Sequence, residues 1–311
     1  MASSLVLVVA MVLSLAQLSV GSRRLMELYI PKPSEQVTYH PGGTVLSGDI
    51  PVSFFWYGKF TPAQKSILSD FFLLLTAAPN AATPSVQQWW GTIEQLYLSN
   101  AAATANGATA TRVLLDQQVS DEACSLGKSL TLSQIEQLAA RVGGKKGGIA
   151  LVFTDEDVAV EGFCSSRCGK HGSAPGGGST YIWVGNSVKQ CPGHCAWPFA
   201  QPEYGPQGAP LVAPNGDVGV DGMVMVAATM LAGTVTNPYG DAFYQGAKEA
   251  PLEASTACPG VYGSGAYPGY PGNLLVDPTT GASYNANGAN GRKYLVPAIY
   301  NPATASCSTL V

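Results

Sequence analysis

Two patterns of apolar positions alternate along this chain. Short unbroken runs bounded by charges or glycines read as buried strands, and longer stretches with apolar residues three and four apart read as helices. The first run, Ile50 to Tyr57 (IPVSFFWY), lies between Asp49 and Gly58 and predicts a strand buried on both faces. Ile149 to Phe153 and Tyr181 to Val184 repeat that pattern, and Arg112 to Val119 alternates enough to be a further strand. Between them lie helices. Thr61-Pro62-Ala63-Gln64 carries an N-cap, a proline at the first helical position and a capping-box partner. That helix is expected to run to about Thr76, before Pro79. Ser85 to Ser99 places Trp89, Ile93, Leu96 and Tyr97 at helical spacing, and Thr131 to Val142 places Leu132, Ile135, Leu138, Ala139 and Val142 on one face. Leu274 to Val276 and Tyr294 to Tyr300 read as closing strands. Helices alternating with apolar strands predict an α/β domain with a layered mixed sheet and flanking helices.

One helix differs from the rest. From Asp221 to Thr236 nearly every residue is apolar or small, and Asn237-Pro238 ends the segment. Asp221 is the expected N-cap. A helix apolar on all sides is a buried one. At roughly 24 Å it is too short and too glycine-bearing for a convincing membrane span. It is therefore expected to be the central packing helix of a soluble domain.

Leu5 to Val20 is uncharged and apolar, and is followed by Val20-Gly21-Ser22 and the basic pair Arg23-Arg24. This predicts a secretory signal over residues 1–22, with a signal anchor as the alternative, and a single mature domain over 23–311 without stable membrane insertion. Charged residues are 12% of the chain and the net charge is −4, so no basic stripe is present for nucleic acid. After the signal come seven cysteines, which in a secreted chain are expected to be oxidised with one left over. The mirrored spacing Cys164-x3-Cys168 and Cys191-x3-Cys195 predicts a nested pair, Cys164 with Cys195 and Cys168 with Cys191, if both segments are locally helical. Cys258 with Cys307 would tie the last segment to the body and leave Cys124 free. The competing reading gathers these four cysteines with His171 and His194 around zinc, but the spacing and compartment favour disulfides. His171 and His194 then read as ordinary loop residues.

The common catalytic signatures are missing: no His-Glu-x-x-His, no Gly-x-Ser-x-Gly, no P-loop and no Gly-x-Gly-x-x-Gly. Three histidines leave few candidates for a general base. Asp155-Glu156-Asp157 with Glu161 has oxygen ligands for calcium, though a solvated turn is the simpler reading. The loop Gly260 to Gly272 (GVYGSGAYPGYPG) carries Tyr262, Tyr267 and Tyr270. It is a candidate ligand-contact loop, since aromatic loops of this kind stack on sugars.

Several long motifs occur in order: Val52 to Lys65 (VSFFWYGKFTPAQK), Asn186-Ser187-x-Lys189-Gln190-Cys191-Pro192, Pro214 to Met223 (PNGDVGVDGM), Thr236-Asn237-Pro238 and Asn287-Gly288-x-x-Gly291-Arg292. Together they resemble the plant EXORDIUM or phosphate-induced protein 1 family. The resemblance spans essentially the whole mature chain. It implies a secreted apoplastic or cell-wall protein associated with hormone- or nutrient-responsive growth. Some members carry His-Glu-x-x-Glu in the central helix, similar to the zinc helix of metallopeptidases. The matching positions here are Thr229, Met230 and Gly233, with Glu253 remaining as one oxygen ligand. The resemblance thus implies a zincin-like scaffold that has lost its metal site, with Met230 filling the vacated space, no cofactor and no catalysis. The expected partner is a wall glycan or an extracellular protein. The runners-up are an extracellular hydrolase with a cryptic site and a structural wall component anchored by its tyrosine loop.

Overall fold

The computed structural model describes residues 36–76, 82–99, 110–143, 147–174, 178–248 and 250–311. The expected signal at 1–22 and the residues from there to 35 lie outside them, as do 77–81, 100–109, 144–146, 175–177 and 249. Strand β1 (Asp49–Tyr57) runs parallel to β2 (Arg112–Asp121) on one side and to β3 (Ile149–Thr154) on the other. Strand β4 (Gly169–Ser173) forms the far edge, antiparallel to β5 (Thr180–Gly185), which pairs parallel with β3. The order across the sheet is β2-β1-β3-β5-β4. Burial on both faces explains the unbroken apolar runs. Phe54, Trp56, Leu151, Phe153, Ile182 and Val184 join one core, while Phe55, Tyr57, Val152 and Trp183 join the other.

Three helices start where the sequence places them: α1 (Pro62–Leu73), α2 (Val86–Ile93) and α3 (Leu132–Val142). Each opens on a capping box, Thr61 with Gln64, Ser85 with Gln88 and Thr131 with Gln134, so orphan amides at each N-terminus are satisfied locally. A π-helical turn, Glu94–Leu98, prolongs α2. Helix α3 seals the Phe55 face, and α1 and α2 join the Phe54 face.

Helix α4 (Val218–Thr236) is the apolar helix, and it begins earlier than expected. The N-cap is Asp217, whose Oδ1 accepts from the Val220 amide at 2.9 Å. Asp221 instead turns inward and is 2% exposed. Its two oxygens accept from the backbone and side-chain nitrogens of Asn215, at 2.9 and 2.6 Å. Although α4 is long and apolar enough to cross a membrane, 78% of it is buried against the rest of the fold. It lies across β5 and β4, and Gly169 makes the close approach possible. A Cβ there would come within 2.8 Å of Val226 Cγ1 and 2.7 Å of the Trp183 carbonyl oxygen.

Strand β4 (GKHGS) has no apolar run and was not expected. Its alternation sends Lys170 toward Glu136 and Tyr181 on the α3 side and His171 toward α4. The expected closing strands do not join the sheet. Leu275–Val276, Lys293–Tyr294 and Ile299–Asn301 each form a separate two-stranded ladder in an irregular C-terminal third. Residues 36–311 form one compact unit.

Two disulfides lie around β4 and β5 and a third ties down the C-terminal third. Cys258 is bonded to Cys307, and Cys124 is free and buried. The nested pairing is corrected: Cys164 bonds Cys191 and Cys168 bonds Cys195. Nesting assumed two antiparallel helical segments. Only the second is helical (Pro192–Cys195, with Cys191 as its cap), whereas Cys164 sits at φ +68° in a turn leading into β4. The two segments therefore meet in the same direction, first with first and second with second.

Candidate functional site

The helix positions singled out in the sequence, Thr229, Met230 and Gly233, lie near the β4 end of α4. Thr229 Oγ1 donates to the Met225 carbonyl, and Met230 lies half-buried over Gly169 rather than filling a closed space. Glu253 does face this helix, but not alone. Its Oε2 accepts from His171 Nε2 at 2.6 Å, and its Oε1 accepts from Asn237 Nδ2 at 2.7 Å. The Glu253 carboxylate is 4% exposed. Reading His171 as an ordinary loop residue is thus corrected: it is a strand residue paired with a buried carboxylate. Gly233 is the lid of this pair. A Cβ at 233 would fall 2.6 Å from Glu253 Oε2 and 2.8 Å from His171 Nε2, so only glycine fits without displacement.

His171, Glu253, Asn237 and Met230 line a pocket of about 390 Å³. A catalytic zinc takes three protein ligands and an open position. Here two side chains of that kind are present, hydrogen-bonded to each other, so the residues do not fit such a metal. His171 Nδ1 is buried without a hydrogen-bond partner among the described residues.

The cysteine cluster offers no metal site either. His194 lies within 4.8 Å of the Cys168 and Cys195 sulfurs, but both sulfurs are in a disulfide and are not thiolates. The acidic turn is divided among other partners. Lys189 bridges Glu156 and Asp157, Asp155 accepts from the Lys59 amide, and Glu161 accepts from the Leu132 amide.

The tyrosine loop divides. Tyr262 is largely enclosed, tilted against Trp197, and burial pushes its phenol pKa up. Tyr267 is 65% exposed and pairs with Tyr270 across a tight turn, ring centroids 5.1 Å apart. Tyr270 is held by a hydrogen bond from its hydroxyl to Asn273 Oδ1. Two pockets open beside this turn, of about 590 and 320 Å³, within the range that takes a small ligand. They share Trp197, Pro202, Pro206 and Gly269 as a common wall. Tyr204, 82% exposed, stands at the rim of the larger one. Gly269 is required for this wall: its φ is +88°, and a Cβ would lie 2.6 Å from Pro206 Cγ. Trp197 and Tyr204 were not read from the sequence as partners of the loop. They come from a proline-rich stretch about 60 residues earlier that carries no periodic signal.

The conserved region described as phosphate-induced protein 1 matches residues 37–310. The tobacco (Nicotiana tabacum) protein PHOSPHATE-INDUCED 1 is 53% identical over 99% of both chains. The Arabidopsis thaliana proteins EXORDIUM and EXORDIUM-like 1 are 54% and 52% identical, covering 96% and 88% of this chain and 96% and 89% of their own lengths. No solved structure matches, and the expected zincin-like scaffold finds no support.

Proposed function

The chain belongs to the phosphate-induced protein 1 family, and we propose that it is a secreted apoplastic protein that acts in growth by binding a wall component, without catalysis. The observation that carries this reading is the open aromatic surface around Trp197, Tyr204, Tyr267 and Tyr270. Exposed tyrosine and tryptophan supply rigid, amphipathic contact area at small entropic cost. Apolar side chains left open beside two pockets are the feature of a surface that receives a ligand. Family membership and the uncharged leader at Leu5 to Val20 support the extracellular setting. The test is co-sedimentation of the mature protein with isolated wall material. Wild type is expected to sediment and Tyr267→Ala to remain in solution; equal sedimentation of both removes the surface from the account. A C-terminal reporter fusion is expected to accumulate outside the cell, and retention in the endoplasmic reticulum with an uncleaved leader overturns that part.

A second reading, an extracellular hydrolase, draws on the His171–Glu253 pair. A histidine oriented by a carboxylate at a pocket is the arrangement of a general base, and His171 and Glu253 are hydrogen-bonded in the lining of one pocket. Turnover of wall glycans or peptides by wild type, lost in His171→Ala, would favour it.

A further inference from the structure

We infer that the paired pockets around Trp197 take an uncharged, β-linked glycan chain, a ligand class that rests on the binding reading above and narrows it. Charge is the first selector. No Lys, Arg, Asp or Glu lines either pocket, and the single titratable heterocycle there is His194. A polyuronide would find no cation to pair with, and the chain as a whole carries −4. A basic peptide would find no carboxylate in the lining, and a single one at the rim, Glu203, engaged with the Tyr204 hydroxyl. An uncharged ligand avoids the larger cost of burying an unpaired charge there.

Hydrogen-bond polarity is the second selector. Seven of the residues lining the two pockets are prolines, which bring no N–H donors. The carbonyls of Pro198, Pro202 and Pro271 already accept within the protein, and the other four are those of Pro206, Pro210, Pro259 and Pro268. The wall therefore favours a ligand rich in donors. A glycan presents hydroxyls along its length. An extended polyproline segment presents carbonyls without N–H groups, and would set acceptor against acceptor.

Shape is the third. The pockets share a wall formed by Trp197, Pro202, Pro206 and Gly269; Tyr267 lines one and Tyr270 the other, their ring centroids 5.1 Å apart. A β-1,4-linked chain is extended and offers the flat C–H faces of successive sugar rings, suited to aromatic faces. Proline and the close Gly269–Pro206 contact hold the surface in place before the ligand arrives, which lowers the ordering cost of binding.

Trp197 also has a free donor. The indole nitrogens of Trp56, Trp89, Trp90 and Trp183 donate to Gln118, Pro297, Thr111 and Thr154. That of Trp197 donates to nothing among the described residues, and is left for a ring oxygen or hydroxyl of the sugar.

The same contrast makes the test specific. Those four tryptophans are buried and Trp197 is half-exposed, so iodide quenching of intrinsic fluorescence reads Trp197. The mature protein is titrated with a β-1,4-linked glucose hexamer, an α-1,4-linked galacturonic acid hexamer and decaproline. The neutral hexamer is expected to protect the fluorescence saturably, with tenfold or weaker binding in Tyr267→Ala and loss of the quenchable signal in Trp197→Phe. Circular dichroism melts unchanged from wild type confirm that Tyr267→Ala is folded, and Tyr204→Ala serves as a second variant at an exposed position. Saturable protection by the galacturonide or decaproline, with the glucose hexamer inert, overturns the uncharged, β-linked class and leaves the binding reading standing. Sedimentation with walls that depends on Tyr267, with all three probes inert, likewise overturns the inferred class alone. If no probe protects and wild type also fails to sediment with walls, both fall.

Discussion

Gly233 is the position where a single atom matters most. The residue has no side chain because the space its Cβ would occupy belongs to Glu253 and His171. Gly233→Ala is expected to push the pair apart and destabilise the fold by about 2–4 kcal/mol, overpacking and a broken buried pair combined. Ala has the better helix propensity by roughly 1 kcal/mol, so a more stable variant in denaturant unfolding would show that the pair yields freely. Asp221 gives a second prediction. Burial raises its carboxyl pKa to about 7, with the two hydrogen bonds from Asn215 opposing and the Asp217 charge adding. The unfolded value is about 3.9, so the folded protein holds the proton more tightly. That stabilisation is complete below the unfolded value and is lost as pH rises through the folded one. Stability is expected to fall between about pH 4 and pH 7, by up to about 4 kcal/mol at the upper limit, read as falling thermal midpoints. Asp221→Asn should flatten the profile, at some cost from an amide facing Asn215's donors. A wild-type profile already flat across that range would mean that Asn215's bonds prevail over burial.

The elements divide into those written locally and those fixed by distant partners. The strands at Ile50, Ile149 and Tyr181 and the three capped helices were legible because apolar runs and capping boxes act over a few residues. Strand β4 was not, because GKHGS carries no burial pattern and owes its place to pairing with β5. The start of α4 was misread by one turn: Asp217 and Asp221 are both good caps, and only Asn215 decides between them. For the candidate site the sequence supplied Glu253 and the helix positions but not His171, 82 residues away. It supplied Tyr267 and Tyr270, but not the Trp197 wall they stand beside. The disulfide register depended on which cysteine segment was helical, which spacing alone does not fix. Non-reducing peptide mapping is expected to recover Cys164–Cys191, Cys168–Cys195 and Cys258–Cys307. The last bridge closes a separation of 49 residues, and chain entropy assigns it about 4 kcal/mol. Cys258→Ala/Cys307→Ala should lower stability on that order and loosen the C-terminal ladder first, read as early amide exchange at Ile299–Asn301.

At the scale of the whole molecule, the two candidate places make opposite demands on the fold. The His171–Glu253–Asn237 cluster joins the edge strand β4, the end of α4 and the irregular C-terminal third, so it sits where separate parts of the chain are held together. The aromatic surface lies outside that junction, on side chains such as Tyr267 and Tyr204 that are mostly in solvent. Mutations should separate them. Glu253→Gln places an amide between His171 and Asn237, both of which donate to the present carboxylate. One donor is left opposed, at a cost of about 2–4 kcal/mol. Binding to wall material should survive at temperatures where the variant is folded. Tyr267→Ala removes a ring with little buried area, and surface changes of that kind stay within about 0.5 kcal/mol. Its thermal midpoint should match wild type while wall binding falls. Melting curves and sedimentation on both variants give four readings from two proteins. A stable Glu253→Gln that no longer binds would move the function beneath α4 and favour the hydrolase reading. A destabilised Tyr267→Ala would make the aromatic turn part of the scaffold.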